Sequence, residues 1–170
     1  MHSPIPLRCC LATLVVGVAS CASLPPGSSL QVGDAAPTHT TPLQRQTVSG
    51  GSDWFTGATT VEMLFAPNGP RTFSGALVSF EPGARTRWHS HPAGQTLIIT
   101  AGVGWVQLEG EERLEAKSGD VVWTPPGIRH WHGAQPSTTM SHIALQGAVD
   151  SRAVDWFEPV SRESYEQAPP

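Results

Sequence analysis

His89-Ser90-His91-Pro92-Ala93-Gly94-Gln95 is the stretch that decides how this chain folds and what it carries. His89 and His91 are two residues apart, so on extended backbone both imidazoles project from one face. The Pro92-Ala93-Gly94 turn can fold the chain back and bring the Gln95 amide toward them. Further along, Gly119 and the run Pro125-Pro126-Gly127-Ile128-Arg129-His130 offer one more imidazole from a separate hairpin. Three neutral nitrogens and an amide oxygen at one point suit a divalent transition metal with open coordination positions. His-x-His alone is as often structural; Gln95 and His130 on matching spacings turn the balance toward a metal site.

Outward from this stretch the chain is a succession of short apolar segments broken by Gly and Pro. Strands are expected at 61–65, 72–80, 85–91, 95–100, 104–108, 113–116, 120–123, 130–133 and 138–146. The segment 72–80 alternates clearly, with Ala76, Val78 and Phe80 on one face. In 138–146, His142 shares a face with Met140, Ala144 and Gln146, while Ile143 and Leu145 face the other way. Strands of this length at near-regular intervals predict an antiparallel β-sandwich or barrel. Helical periodicity is expected only after Ser161, which can cap a turn over 162–166. Trp88 and Trp131 alternate with the histidines and are expected to point away from them. Glu109, Glu111 and Glu112 read as a solvated hairpin tip.

The ends read differently. Residues 1–20 combine Arg8, an apolar run from Leu11 to Ala19 and Val18-Ala19-Ser20-Cys21, which predicts a secretory signal of lipoprotein type. An ordinary signal cut near Ser20 or Ala22 is the alternative; both expectations export the protein to the periplasm or cell envelope. Residues 21–42, rich in Pro, Gly, Ser and Thr and containing His39, read as a flexible tether, with membrane contact only through lipid on Cys21. The body is expected over 43–165, with a tail at 166–170. All three cysteines (Cys9, Cys10 and Cys21) precede the body, which excludes thiolate ligands, thiol nucleophiles and disulfides there. Removing the leader takes away Arg8 and no acid, moving the formal charge from −4 to −5. That mild acidity argues against nucleic-acid binding.

Gly83, His89-x-His91, Gln95 and Gly102, followed by Gly119, Pro125-x-Gly127 and His130, resemble the two cupin motifs in order and spacing. There are two departures: Gln95 stands where the family usually has glutamate, and the asparagine that often ends the second motif is absent. The resemblance implies an all-β, single-domain cupin jelly-roll barrel with one metal at its centre. His89-Ser90-His91-Pro92-Ala93-Gly94-Gln95-Thr96-Leu97-Ile98, Val122-Trp123-Thr124-Pro125-Pro126-Gly127 and His130-Trp131-His132-Gly133-Ala134 are further similar to small bacterial cupins with (R)-selective hydroxynitrile lyase activity. That likeness runs from about Gln44 to the Trp156-Phe157-Glu158-Pro159-Val160 tail.

The likeness implies Mn2+ held by His89, His91, Gln95 and His130; Fe2+, Zn2+ and Ni2+ suit the same donors. Four neutral donors leave a dication its full charge, which favours Lewis-acid over redox work. His132, two residues beyond His130, points into the same cavity if the segment is a strand and is, with His142, a candidate catalytic base. By resemblance His142 is the first-choice base or cyanide-handling residue, Thr86 a hydrogen-bonding wall, and Ala76, Val78 and Gln146 the pocket wall. The expected activity is cleavage or formation of small cyanohydrins. An iron- or manganese-dependent dioxygenase and a non-catalytic metal- or small-ligand-binding lipoprotein stand as alternatives. Cupins of this size commonly pair, so a homodimer or tetramer is expected.

Overall fold

Twelve strands and one short helix make up the described part of the chain. The computed structural model describes residues 37–166; the leader, Cys21, the tether up to residue 36 and the tail from 167 lie outside them. Within the described residues, the chain from His39 to Glu166 forms one compact unit. Its first turn is a 3-10 turn at Pro42–Gln44.

One sheet is built from β1 (Thr47–Ser49), β3 (Thr59–Phe65), β4 (Phe73–Phe80), β11 (Met140–Gly147), β7 (Gln95–Leu108) and β9 (Val121–Thr124). The second shares β7 and adds β8 (Leu114–Lys117), β10 (His130–Ala134), β5 (Arg85–Thr86), β6 (His89–Ser90), β2 (Phe55–Thr56) and β12 (Asp155–Trp156). All pairings are antiparallel, and the sheet curls into the half-barrel of a jelly roll.

Alternation decides which side chains meet inside. β4 turns Ala76, Val78 and Phe80 inward, and β11 turns Met140, His142 and Ala144 against them, in the register Met140↔Phe80, His142↔Val78 and Ala144↔Ala76. Leu97, Ile99 and Val106 of β7 complete the core with Ala84, Ala116 and Ala134. Full burial of a Phe80 or Leu97 side chain contributes about 1.5–3 kcal/mol each. A second cluster lies around Trp131, Val160 and Tyr165, with Trp88 and Trp105 packed against it. Both tryptophans that alternate with the histidines thus serve packing. α1 (Arg162–Glu166), capped by Ser161 through the Ser164 N–H at 3.0 Å, brings Tyr165 there. The Tyr165 hydroxyl donates to the Ala134 carbonyl at 2.7 Å.

Three strand expectations need correction. Residues 95–100 and 104–108 are one strand, β7, whose first half serves one sheet and whose second half serves the other. Gly102 takes φ +71° between those halves, where an added Cβ would stand 1.9 Å from the Thr139 carbonyl oxygen. The glycine that suggested a break is a bend in a continuous strand. Conversely, 85–91 is not one strand: the Arg87 N–H donates to Trp54 O and the Trp88 N–H to Glu158 O, pulling the chain out of the ladder between β5 and β6. β1, β2 and β12 are too short for alternation to reveal. Glu109, Glu111 and Glu112 are exposed, and Glu109 pairs with Arg129.

Gly102→Ala should lower the free energy of unfolding by about 2–4 kcal/mol, combining a left-handed backbone penalty with overpacking. Urea denaturation measures this directly, and an unchanged midpoint would remove Gly102 from its role as the bend.

Candidate metal centre

Local pairing assembles the site. β10 and β6 pair so that His130 lies directly opposite His89, and the two imidazole centroids come within 4.1 Å. After His91 the chain turns at Gly94, φ +75°, whose N–H donates to the His91 carbonyl at 3.1 Å. The Gly127 N–H donates to the same carbonyl at 2.9 Å, docking the second motif's turn on the first. β7 then carries Gln95 into register with Gln146 of β11.

Each of three imidazoles is fixed by a backbone carbonyl. His89 Nδ1 donates to Arg87 O at 3.0 Å, His130 Nδ1 to Ile128 O at 2.9 Å and His91 Nδ1 to Ala153 O at 2.7 Å. A carbonyl can only accept, so the proton is on Nδ1 and Nε2 keeps a bare lone pair. His91 Nε2 is buried and has no partner. His130 Nε2 lies 3.0 Å from Gln95 Oε1, while Gln95 Nε2 donates to Gln146 Oε1 at 3.2 Å. Two lone-pair atoms at that distance repel unless a cation sits between them. The donor set therefore fits a divalent metal.

His132 enters the same cluster: His89, His130 and His132 offer ring nitrogens within 4.8 Å of one another. By ring centroids His91 is about as near, at 5.2 Å from His89 and 5.7 Å from His130, against 5.1 and 6.1 Å for His132. The distinction is chemical. His132 Nδ1 faces no carbonyl; it lies 3.1 Å from His142 Nε2, so one of the two donates and the other accepts. The remaining nitrogens, His132 Nε2 and His142 Nδ1, are buried without partners. A proton placed on one ring can thus be passed to the other.

Thr86 is buried, and its hydroxyl oxygen accepts the His132 N–H at 3.1 Å, leaving its own proton free to donate. A cavity of about 190 Å3 opens beside these groups, lined by Thr86, His89, His91, Gln95, His132 and His142 together with Ala76, Val78 and Gln146. His130 is not among its lining residues, although its ring adjoins His89. Val48, Trp54, Phe55, Val154 and Trp156 also line it. They carry no motif; the aromatic doublets Trp54-Phe55 and Trp156-Phe157 in polar surroundings are the signal that could have marked them.

Burial controls the charge state. It pushes His130 down to about 4 and His142 down to about 3. It also lowers His91, and sends His89 and His132 well below the ordinary imidazole value, helped by neighbouring imidazoles. All five rings are therefore neutral at pH 7.

The fold and this cluster of histidines define a cupin, and the chain belongs to the cupin family. The family's domain model, "Cupin domain", matches residues 76–144. The chain is similar to an (R)-mandelonitrile lyase of Granulicella tundricola, 55% identical over 116 residues that span 68% of this chain and 88% of that protein. Among solved structures it is similar to a cupin-like protein of Thermotoga maritima, 45% identical with a TM-score of 0.66, covering 69% of this chain and 89% of that one. A cupin 2 conserved barrel domain protein of Rhodopseudomonas palustris shares the fold at 17% identity and TM-score 0.56, over 70% and 83% of the two chains.

Stability of the metal-free protein should depend on pH with a definite sign. Imidazoles depressed from 6.5 make their full contribution above that value, because the unfolded chain binds protons below it and the folded chain does not. Stability should fall by about 1.4 kcal/mol per pH unit for each such histidine as pH drops from about 6.5 toward the folded values. Urea midpoints at about pH 7.5, 6 and 5 should decrease in that order; a flat profile would mean that the folded rings already carry protons.

Proposed function

We propose that this cupin is a metal-dependent carbon–carbon lyase that cleaves or forms cyanohydrins, with manganese as the ion and His89, His91, Gln95 and His130 as its ligands. The observation that carries this reading is the set of carbonyl-fixed imidazoles: His89 and His91 line the pocket with Gln95, and His130 adjoins His89 with its unprotonated Nε2 3.0 Å from the Gln95 carbonyl oxygen. The (R)-mandelonitrile lyase relative supports the choice of reaction. The neutral donor set supports Lewis-acid work rather than oxygenase chemistry, because no anionic ligand is present to favour a higher oxidation state.

A dication bound here supplies polarisation of a hydroxyl or carbonyl oxygen and lowers the pKa of the hydroxyl. The protein's groups supply the rest. Thr86 donates its hydroxyl proton toward the substrate, and Ala76 and Val78 leave room for the substituent on the reacting carbon. The neutral His132–His142 pair accepts the cyanohydrin hydroxyl proton. The bond to the nitrile carbon then breaks, its electron pair leaves with cyanide, and the carbonyl forms. Burial disfavours an imidazolium on either ring, so the proton passes on to cyanide and hydrogen cyanide departs with the aldehyde. The synthetic direction reverses each step.

A homo-oligomer belongs to the same proposal. Ile98, Ile143, Leu145 and Leu77 form cross-strand rows with the exposed Val121 and Trp123 on the side of the sheet away from the cavity. An apolar outer face of that kind supports pairing of copies.

Two variants separate the roles. Manganese-loaded protein should release benzaldehyde from (R)-mandelonitrile. His89→Ala should lose both bound manganese and turnover. His142→Ala should keep its manganese while kcat falls by about 10²–10⁴. Aldehyde release no greater than that of His89→Ala would reject the lyase, and substrate-dependent oxygen uptake with iron would favour the dioxygenase in its place.

A further inference from the structure

Two indoles from distant parts of the chain meet at the cavity wall. Trp54 lies in the turn before β2 and Trp156 in β12; their ring centroids are 6.4 Å apart and their planes 26° from parallel. Phe55 stands 6.3 Å from Trp156. Trp156 in turn sits 4.9 Å from the His89 ring, so an aromatic wall runs from the histidine cluster outward. It ends at Trp54, which is 48% exposed. Across the cavity the first sheet contributes the aliphatic side chains Val61 and Val78.

The Trp54 side chain is half exposed and stacks on Trp156. Its main chain is fixed independently, through its N–H to Gly51 O at 3.0 Å and its carbonyl to the Arg87 N–H at 2.9 Å. A half-exposed indole beside a cavity offers apolar area that a bound ring would remove from water. The cavity, at about 190 Å3, is smaller than the roughly 300–1,000 Å3 of sites for drug-sized ligands, so it admits one ring and a short head group. Aromatic faces favour another aromatic ring over a saturated ring of equal size by about 0.5–1.5 kcal/mol beyond burial.

We infer that Trp54 and Trp156 form a subsite for a flat, uncharged aryl ring, and that Trp54 is the residue that selects aromatic over saturated substrates. The lyase reading supplies only the chemistry of the ligand's other end; ring recognition stands on the indole pair.

NMR titration of the manganese-loaded protein with benzyl alcohol, cyclohexylmethanol and propan-1-ol tests this without turnover. Wild type should prefer benzyl alcohol to cyclohexylmethanol by about threefold to tenfold. Trp54→Ala should bring that ratio close to one and leave propan-1-ol unchanged, and Trp54→Phe should keep most of the preference. An undiminished ratio in Trp54→Ala, or equal binding of the two six-membered rings to wild type, would overturn the subsite. The two readings fail separately. Loss of ring preference in Trp54→Ala with no cleavage of mandelonitrile by wild type supports the subsite and rejects the lyase. Cleavage with an unchanged ratio rejects the subsite and leaves the lyase standing.

Discussion

Three hydrogen bonds from imidazole Nδ1 to backbone carbonyls hold the arrangement on which everything else depends. Arg87, Ile128 and Ala153 supply the carbonyls, and each fixes one tautomer and one ring orientation. Without them the rings could rotate or carry the proton on the other nitrogen, and no set of lone pairs would converge. Two of the carbonyls lie two residues before the histidine they serve. The third comes from the 149–153 turn, where Asp150 and Ser151 both adopt positive φ and the chain doubles back toward β12. The glycine and proline turns around His91 and His130 place the backbone, and the backbone places the proton.

Charge follows from that placement. Five buried histidines cluster here, four of them lining one cavity, and the carboxylate that influences His91, Asp155, is itself paired with Arg152. A cupin with glutamate at position 95 would bring an anion among the donors; Gln95 does not. Its amide is oriented by Gln146, so the oxygen turns toward His130 and the nitrogen away. A cluster of neutral donors with depressed pKa values suits a cation better than a proton. The same burial keeps the His132–His142 pair neutral and makes it hand on quickly any proton that reaches it.

The sequence was legible where side-chain chemistry and turn chemistry coincide. His89, His91, Gln95 and His130 could be grouped because Gly94 and Gly127 mark turns, and the structure shows positive φ at both. The inward faces of β4 and β11 were readable from alternation, and so was His142 among them. The neighbourhood of His132 and His142 could be anticipated, but not their direct contact, which depends on how the two sheets close. Gly102 misled because a glycine inside a strand and a glycine between strands look alike in one dimension. Trp54 and Trp156 were invisible as a pair: 101 intervening residues separate them, and only the pairing of β2 with β5 and of β12 with β6 brings their segments to the cavity.

The convergence of these donors on one ion is most directly tested by X-ray absorption spectroscopy of the manganese-loaded protein. The account predicts a shell of nitrogen and oxygen only, with outer-shell scattering from three imidazoles. That count should fall to two in His91→Ala and stay at three in His132→Ala. Imidazole scattering that survives loss of His91 but drops with loss of His132 would contradict it, and so would a shell with no imidazole at all.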